Sequence, residues 1–179
     1  MPLNHLLTGR PGVGKTTAIC RLAERLEGRR LAGFLTEEVR VGGRRRGFRI
    51  ETFDGREGIL ADMDIESRWR VSKYGVDLEG FERLVCPMLE SAAEEAEVVL
   101  IDEIGKMECF SDRFCAAVEA LADAPVPLVA TIAARGRGLI AAMKARDDVE
   151  LHTLTTSNRH AFPQRLANAL RPLLDADAL

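Results

Sequence analysis

Aromatic residues are scarce in this chain, 5% of its 179 residues, with one Trp and one Tyr. So few and so dispersed, they exclude a platform on which successive bases could stack. Cysteines number four, Cys20, Cys86, Cys109 and Cys115. No pair has CxxC spacing, and the Cys109–Cys115 interval fits no common zinc pattern. They read as small buried hydrophobes of a reducing compartment. Charge of one sign is not in excess either: 25 Lys and Arg against 28 Asp and Glu leave a formal net charge of -3. Overall charge therefore does not indicate nucleic acid as a partner, and any basic function is local. No apolar run approaches the roughly 18 residues of a membrane span. The stretch "MPLNHLLTGRPG" has no charged leader followed by a long apolar segment. The expectation is a cytoplasmic protein with no membrane contact. His5, His152 and His160 are scattered along the sequence and form no metal or triad pattern.

What is present is an ordinary globular composition, 46% hydrophobic and 30% charged, at a length that suits one compact domain over 1–179. "LNHLLT" (3–8) is a short apolar run entering a glycine-rich turn. After the turn, Ile19, Leu22, Ala23 and Leu26 recur at helical spacing, and Gly28 is a candidate C-cap. Short runs between residues 31 and 61, punctuated by Gly42-Gly43 and Asp54-Gly55, predict antiparallel hairpins. Residues 62–77, with Trp69 and Tyr74, read as an irregular connection. A helical pattern follows from Leu78 to Ala96, with a kink expected at Pro87. "VVLI" (98–101) and "PLVATI" (127–132) are continuous apolar runs of strand length, as central parallel strands require. A helix with a Ser111 N-cap lies between them. Beyond them come a helix in "RGLIAAMKARD", a strand in "VELHTLT" and a last helix interrupted near Pro163. This alternation predicts a doubly wound α/β sheet, whose ligand sits beyond the carboxyl ends of the strands.

"GRPGVGKT" (9–16) matches G-x-x-x-x-G-K-[ST] without a gap. Its glycines let successive N–H groups point at an anion, Lys15 reaches the β- and γ-phosphates, and the Thr16 hydroxyl can ligate Mg²⁺. Asp102 and Glu103 end the second apolar strand. Two adjacent carboxylates after a buried run need a cation or solvent to offset desolvation. Asp102 is expected to hold Mg²⁺ directly or through water, and Glu103 to polarise the attacking water as general base. Thr131 could bond the γ-phosphate or the lytic water. Asn158 and Arg159 follow the last strand, where they either serve the phosphates or form a helix N-cap and an exposed charge. The basic hairpin with Arg40, Arg44, Arg45, Arg46 and Arg49 is either a solvated tip or a clamp on phosphates.

"TGRPGVGKTT", "GFLTEEVRVGGRRRGFRIETFDG", "RVSKYGVDLEGFE" and "VVLIDEIGKMECFSDRF" together resemble the THEP-type nucleoside-triphosphatases, over residue 5 to about 133. The resemblance implies a three-layer P-loop NTPase with a RecA-like, mostly parallel sheet and an antiparallel excursion at about 33–61. It implies Mg²⁺-dependent hydrolysis of ATP, GTP and other NTPs to NDP and phosphate, with slow turnover and little base selectivity. By motif, nucleotide contacts fall on Gly9, Arg10, Pro11, Gly12, Val13, Gly14, Lys15, Thr16 and Thr17. A second set falls on Val98, Val99, Leu100, Ile101, Asp102, Glu103, Ile104 and Gly105. Lys15, Glu103 and Arg159 are the expected catalytic residues, and Thr16 and Asp102 the metal ligands. Ser72 departs from the glycine expected in "RVG.Y". A nucleotide or small-molecule kinase, and an NTP-dependent switch binding RNA or protein, are the rival functions for the same loop.

Overall fold

The computed structural model describes residues 3–176. Its elements run β1 (Asn4–Thr8), α1 (Lys15–Arg25), β2 (Leu31–Val41), β3 (Arg44–Thr52), β4 (Glu57–Asp62), β5 (Arg70–Val71), β6 (Tyr74–Val76), α2 (Leu78–Glu95), β7 (Val98–Ile104), α3 (Asp112–Asp123), β8 (Leu128–Ile132), α4 (Leu139–Lys144), β9 (Val149–Thr153) and α5 (Phe162–Ala176). A 3-10 turn spans Glu108–Phe110. The strands form one sheet in the order β5-β6-β4-β3-β2-β7-β8-β1-β9. From β2 to β9 every neighbouring pair is parallel. From β5 to β2 every pair is antiparallel.

The central strands are apolar throughout because helices cover both faces, and the two-residue period divides their side chains between two cores. Val99 and Ile101 of β7 pack with Phe81, Val85 and Leu89 of α2 and Phe114 and Val118 of α3. Val98 and Leu100 pack on the other side with Ile19 and Leu22 of α1 and Leu166 and Leu170 of α5. Two helix starts are fixed by side chains that satisfy otherwise orphaned N–H groups. Asp77 accepts from Gly80 N at 3.0 Å, and Ser111 accepts from Phe114 N at 3.0 Å. Where β2 and β7 lie side by side, a Cβ on Gly33 would fall 1.8 Å from the Leu100 carbonyl oxygen. Only glycine permits that approach.

Three expectations are corrected. The antiparallel half does not end near residue 61: β6 pairs with β4, and β5 with β6, inside the stretch read as irregular. These strands are two and three residues long, too short for alternation to register. Aromatic contacts anchor them, with Phe48–Tyr74 centroids at 5.3 Å and Trp69–Phe110 at 5.1 Å. Second, α1 ends at Arg25 with Leu26 as its C-cap, so Gly28 lies beyond the helix end; α2 runs through Pro87 to Glu95 as one helix. Third, α5 is not interrupted at Pro163: the helix starts at Phe162, so this proline lies in the first turn, where an N–H has no helical partner to lose.

The departure at Ser72 also has a physical meaning. Val71 pairs with Tyr74, leaving Ser72 and Lys73 as a two-residue hairpin loop. Ser72 has φ 55°, the one positive value at a non-glycine among the described residues. A left-handed first loop residue is a position that favours glycine.

Candidate active site

α1 begins directly after Gly14, which has φ 108° and stands at its N-cap. The positive end of an 11-residue helix with no acid in its first turn therefore faces the phosphate loop. Lys15 Nζ folds back on that loop and donates to the carbonyls of Gly9 at 3.1 Å and Arg10 at 3.3 Å. The next side chain crosses to β7: Thr16 Oγ1 donates to Asp102 Oδ2 at 2.6 Å. From β8, which lies between β1 and β7, Thr131 Oγ1 donates to Asp102 Oδ1 at 2.5 Å. β2 supplies a third contact, Thr36 Oγ1 to the Asp102 carbonyl at 2.6 Å. One buried residue, Asp102, thus ties three strands to the phosphate loop through its carboxylate and its carbonyl.

These groups open on a cleft of about 810 Å³. One wall is the phosphate loop with the start of α1, and another is Asp102, Glu103, Lys106, Met107 and Glu108. The antiparallel half closes it with Thr36, Glu37, Glu38, Phe48, Leu60 and Val71. Burial pushes the Asp102 carboxyl above its ordinary range, while the Thr131 and Thr16 hydroxyls and the Lys15 charge pull it back. Glu103 is raised by burial and by its neighbour Asp102, against Lys15. Glu108, 3% exposed, is pushed up to about 8 by burial, with the Glu103 and Asp102 charges adding and backbone N–H groups opposing. Three carboxyl groups that resist ionisation thus share one wall, a place where a cation would be stabilised.

The residues expected from sequence divide accordingly. Gly9, Pro11, Gly12, Gly14, Lys15, Thr16, Thr17, Asp102 and Glu103 line the cleft. Arg10 and Val13 contribute loop carbonyls, to Lys15 and to Arg159. Val98, Val99, Leu100, Ile101 and Ile104 do not reach the cleft. Each is 0% exposed, a core residue that supports the strand tip. Gly105 acts through close packing, since a Cβ there would fall 2.7 Å from carboxylate oxygens of both Glu103 and Glu108. Arg159 lies beside the loop, donating to the Val13 carbonyl at 3.3 Å, and is not in the cleft wall.

The Asn158 side chain accepts from Thr155 N at 2.8 Å and donates to the Thr153 carbonyl at 2.9 Å, which organises the turn before α5. Four of the five hairpin arginines are paired with acids on their own strand, on adjoining strands or just beyond them. Arg40 and Arg45 meet Glu38, Arg46 meets Asp62 and Asp64, and Arg49 meets Glu37 and Glu57. That pairing is what a solvated hairpin needs, and it leaves little unbalanced positive charge. Two histidines are not scattered in space: His5 Nδ1 and His152 Nε2 are 3.1 Å apart.

The sequence matches the family model described as NTPase over residues 4–167. It is similar to Nucleoside-triphosphatase THEP1 of Thermotoga sp. (strain RQ2), 43% identical over 166 residues that cover 93% of this chain and 94% of that one. The chain belongs to the THEP-type nucleoside-triphosphatase family. The human Cancer-related nucleoside-triphosphatase is 40% identical over 179 residues, covering 91% and 94% of the two chains. The crystal structure of THEP1 from Aquifex aeolicus has a TM-score of 0.86 to this one at 40% identity, covering 93% of this chain and 98% of that chain.

Among the residues of this THEP-type cleft that were not singled out from sequence, Thr36 and Glu108 contribute most to its geometry and charge. Thr36 lies in a strand read as part of a separate hairpin. Glu108 sits in "KMECF", a stretch with no periodicity to announce burial. The signal for Thr36 was its place after the apolar run "LAGFL", which continues a parallel strand into the cleft.

Proposed function

We propose that this chain is a Mg²⁺-dependent nucleoside-triphosphatase that hydrolyses ATP, GTP and other NTPs to NDP and phosphate, slowly and with little base selectivity. The observation that carries the reading is the sharing of Asp102 between Thr16 of the phosphate loop and Thr131 of β8. The phosphate-loop threonine and the acidic strand tip are one hydrogen bond apart, which supports a triphosphate bound between them. The donor set suits the ion, because a hydroxyl and a carboxylate are hard oxygens of the kind Mg²⁺ takes alongside substrate phosphates and water. Thr16 and Asp102 would hold it, and it would neutralise charge on the β- and γ-oxygens when bound.

The remaining steps belong to the chain. Lys15 exchanges the Gly9 and Arg10 carbonyls for phosphate oxygens and offsets charge developing on the β–γ bridge. Loop N–H groups and the start of α1 orient the phosphates. Glu103, ionised once a cation is near, aligns water in line with the γ-phosphorus and accepts its proton. Thr131 fixes the Asp102 carboxylate, and Arg159 braces the loop at Val13. Among the described residues no arginine lines the cleft. An arginine finger supplies factors of ~10³ to 10⁵ elsewhere, so its absence from the wall supports slow turnover. The sequence has no [NT]-K-x-D run for reading guanine, which supports breadth among bases.

The test is phosphate release from ATP, GTP, CTP and UTP with Mg²⁺ and no acceptor, for wild type and Glu103→Gln. The expected result is release from all four, lost in the variant while nucleotide binding survives. Tight binding without release by the wild type would overturn the reading in favour of a kinase or a switch.

A further inference from the structure

Away from the cleft, the parallel register of β1 and β9 pairs His5 with Glu150 and Leu7 with His152. Paired residues, and residues two apart, share one face of a sheet. This register gathers two imidazoles and a carboxylate that are nearly a whole chain apart in sequence. His5 Nδ1 is 3.1 Å from His152 Nε2 and 3.6 Å from Glu150 Oε2. His152 Nδ1 is 3.7 Å from the other Glu150 oxygen. One ligand atom from each residue lies within 4.8 Å of the others. Two ligands on a tetrahedral ion, with bonds of ~2.0–2.1 Å, stand about 3.3 Å apart. The two facing nitrogens, 3.1 Å apart, have that spacing, and the Glu150 carboxylate, 3.6 Å from His5 Nδ1 on a half-exposed side chain, would turn inward to complete the shell.

We propose that His5, Glu150 and His152 form a second cation site, at the edge of the sheet, that takes one zinc-class divalent ion. Two His and one carboxylate, with a further position for water, is a donor set that zinc uses, and imidazole favours it over Mg²⁺. Both rings are held in place before any ion arrives. His5 is 1% exposed, and the His152 ring meets Phe162 edge-on with centroids 5.0 Å apart. Glu150, with its side chain 49% exposed, gives the ion a way in. Arg165, whose guanidinium lies 5.6 Å from the Phe162 ring centre, is the cation that opposes entry, and the Glu150 charge offsets it. A neutral ring that ligates keeps its proton on the nitrogen facing away from the ion.

The ion would fasten β9 to β1 just below the nucleotide cleft. Leu154 N donates to the Thr8 carbonyl at 2.8 Å, and the chain then runs through Thr155 to Arg159, which holds the phosphate loop. Zinc at this edge therefore stiffens the two strands that carry the loop and its brace.

The experiment titrates Zn²⁺ into the untagged, chelator-stripped chain without Mg²⁺ or nucleotide, by calorimetry and metal analysis. One equivalent is expected, with a melting temperature that rises with Zn²⁺ concentration. His152→Ala and Glu150→Gln each weaken binding at least about tenfold, the lower end of what losing even an outer-shell partner does. Glu150→Gln alters an exposed side chain, so circular dichroism will match the wild type. Asp102→Asn retains the equivalent. No uptake by the wild type overturns the proposal. So does uptake that survives both edge variants, or that is lost only in Asp102→Asn, which would put the ion in the cleft.

Discussion

Glu108→Gln keeps the shape of a side chain and removes one proton equilibrium. Glu108 is 3% exposed, and burial moves its carboxyl from an ordinary 4.5 to about 8. Below pH 4.5 the group is protonated in folded and unfolded chains alike, and its neutral form is fully compatible with the fold. As the pH rises, the unfolded chain releases its proton first, while the folded chain keeps it until about pH 8. Stability is therefore lost across that interval and is level above it. At about 1.4 kcal/mol per pH unit the interval sets an upper limit of about 5 kcal/mol, which local hydration reduces to on the order of 2–4 kcal/mol. Asp102 and Glu103 titrate in the same direction, and paired acids such as Glu90 and Glu97 in the opposite one. The useful quantity is thus the difference between wild type and variant. Urea unfolding at pH 5, 6, 7 and 8 measures it. The wild type should lose stability relative to Glu108→Gln by a few kcal/mol between pH 5 and 8. Parallel curves would refute the reasoning, because Glu108 would then ionise as freely in the fold as out of it.

Thr131→Val preserves volume at a fully buried position and leaves the Asp102 carboxylate without its 2.5 Å donor. A hydrogen bond to a charged group contributes about 1.5–3 kcal/mol, so urea unfolding should register a loss of that size, and phosphate release should fall with it. Ser72→Gly relieves a left-handed residue at φ 55°. The chain should gain up to about 1 kcal/mol, read as a rise of about 2–4 °C in Tm. Gly33→Ala drives a methyl to within 1.8 Å of the Leu100 carbonyl oxygen. Soluble yield should collapse, and any protein recovered should melt far below the wild type.

The sheet was legible because apolar continuity and alternation are local signals. "VVLI" and "PLVATI" announce covered strands, and the phosphate loop announces the strand and helix around it. The cleft was legible at the loop and at Asp102, whose neighbour Glu103 made the pair conspicuous. What stayed hidden depends on partners remote in sequence. Thr36 matters because β2 outruns β7: their pairing covers Leu31 to Phe34 only. Glu108 matters because a short 3-10 turn folds it against Gly105. Val98 to Ile101 show the reverse case, a motif stretch whose role is packing. Arg40, Arg45, Arg46 and Arg49 were ambiguous until β2, β3 and β4 brought them beside acids. His5 and His152 met only through a parallel register that no local pattern encodes.

β2 is one unbroken strand shared by two structures. Its first residues are bonded to β7 on one side and its last to β3 on the other. Thr36, just past the point where β7 is left behind, grips the backbone of Asp102. From there to Val41 at the hairpin tip is about 17 Å at about 3.3 Å per residue. The cross-strand pairs of Glu37 and Glu38 with Arg49 and Arg45 stiffen that length. The hairpin is accordingly a handle on the strand that touches the acidic tip. A load on its end would be carried along the strand to Thr36 and so to the cleft wall.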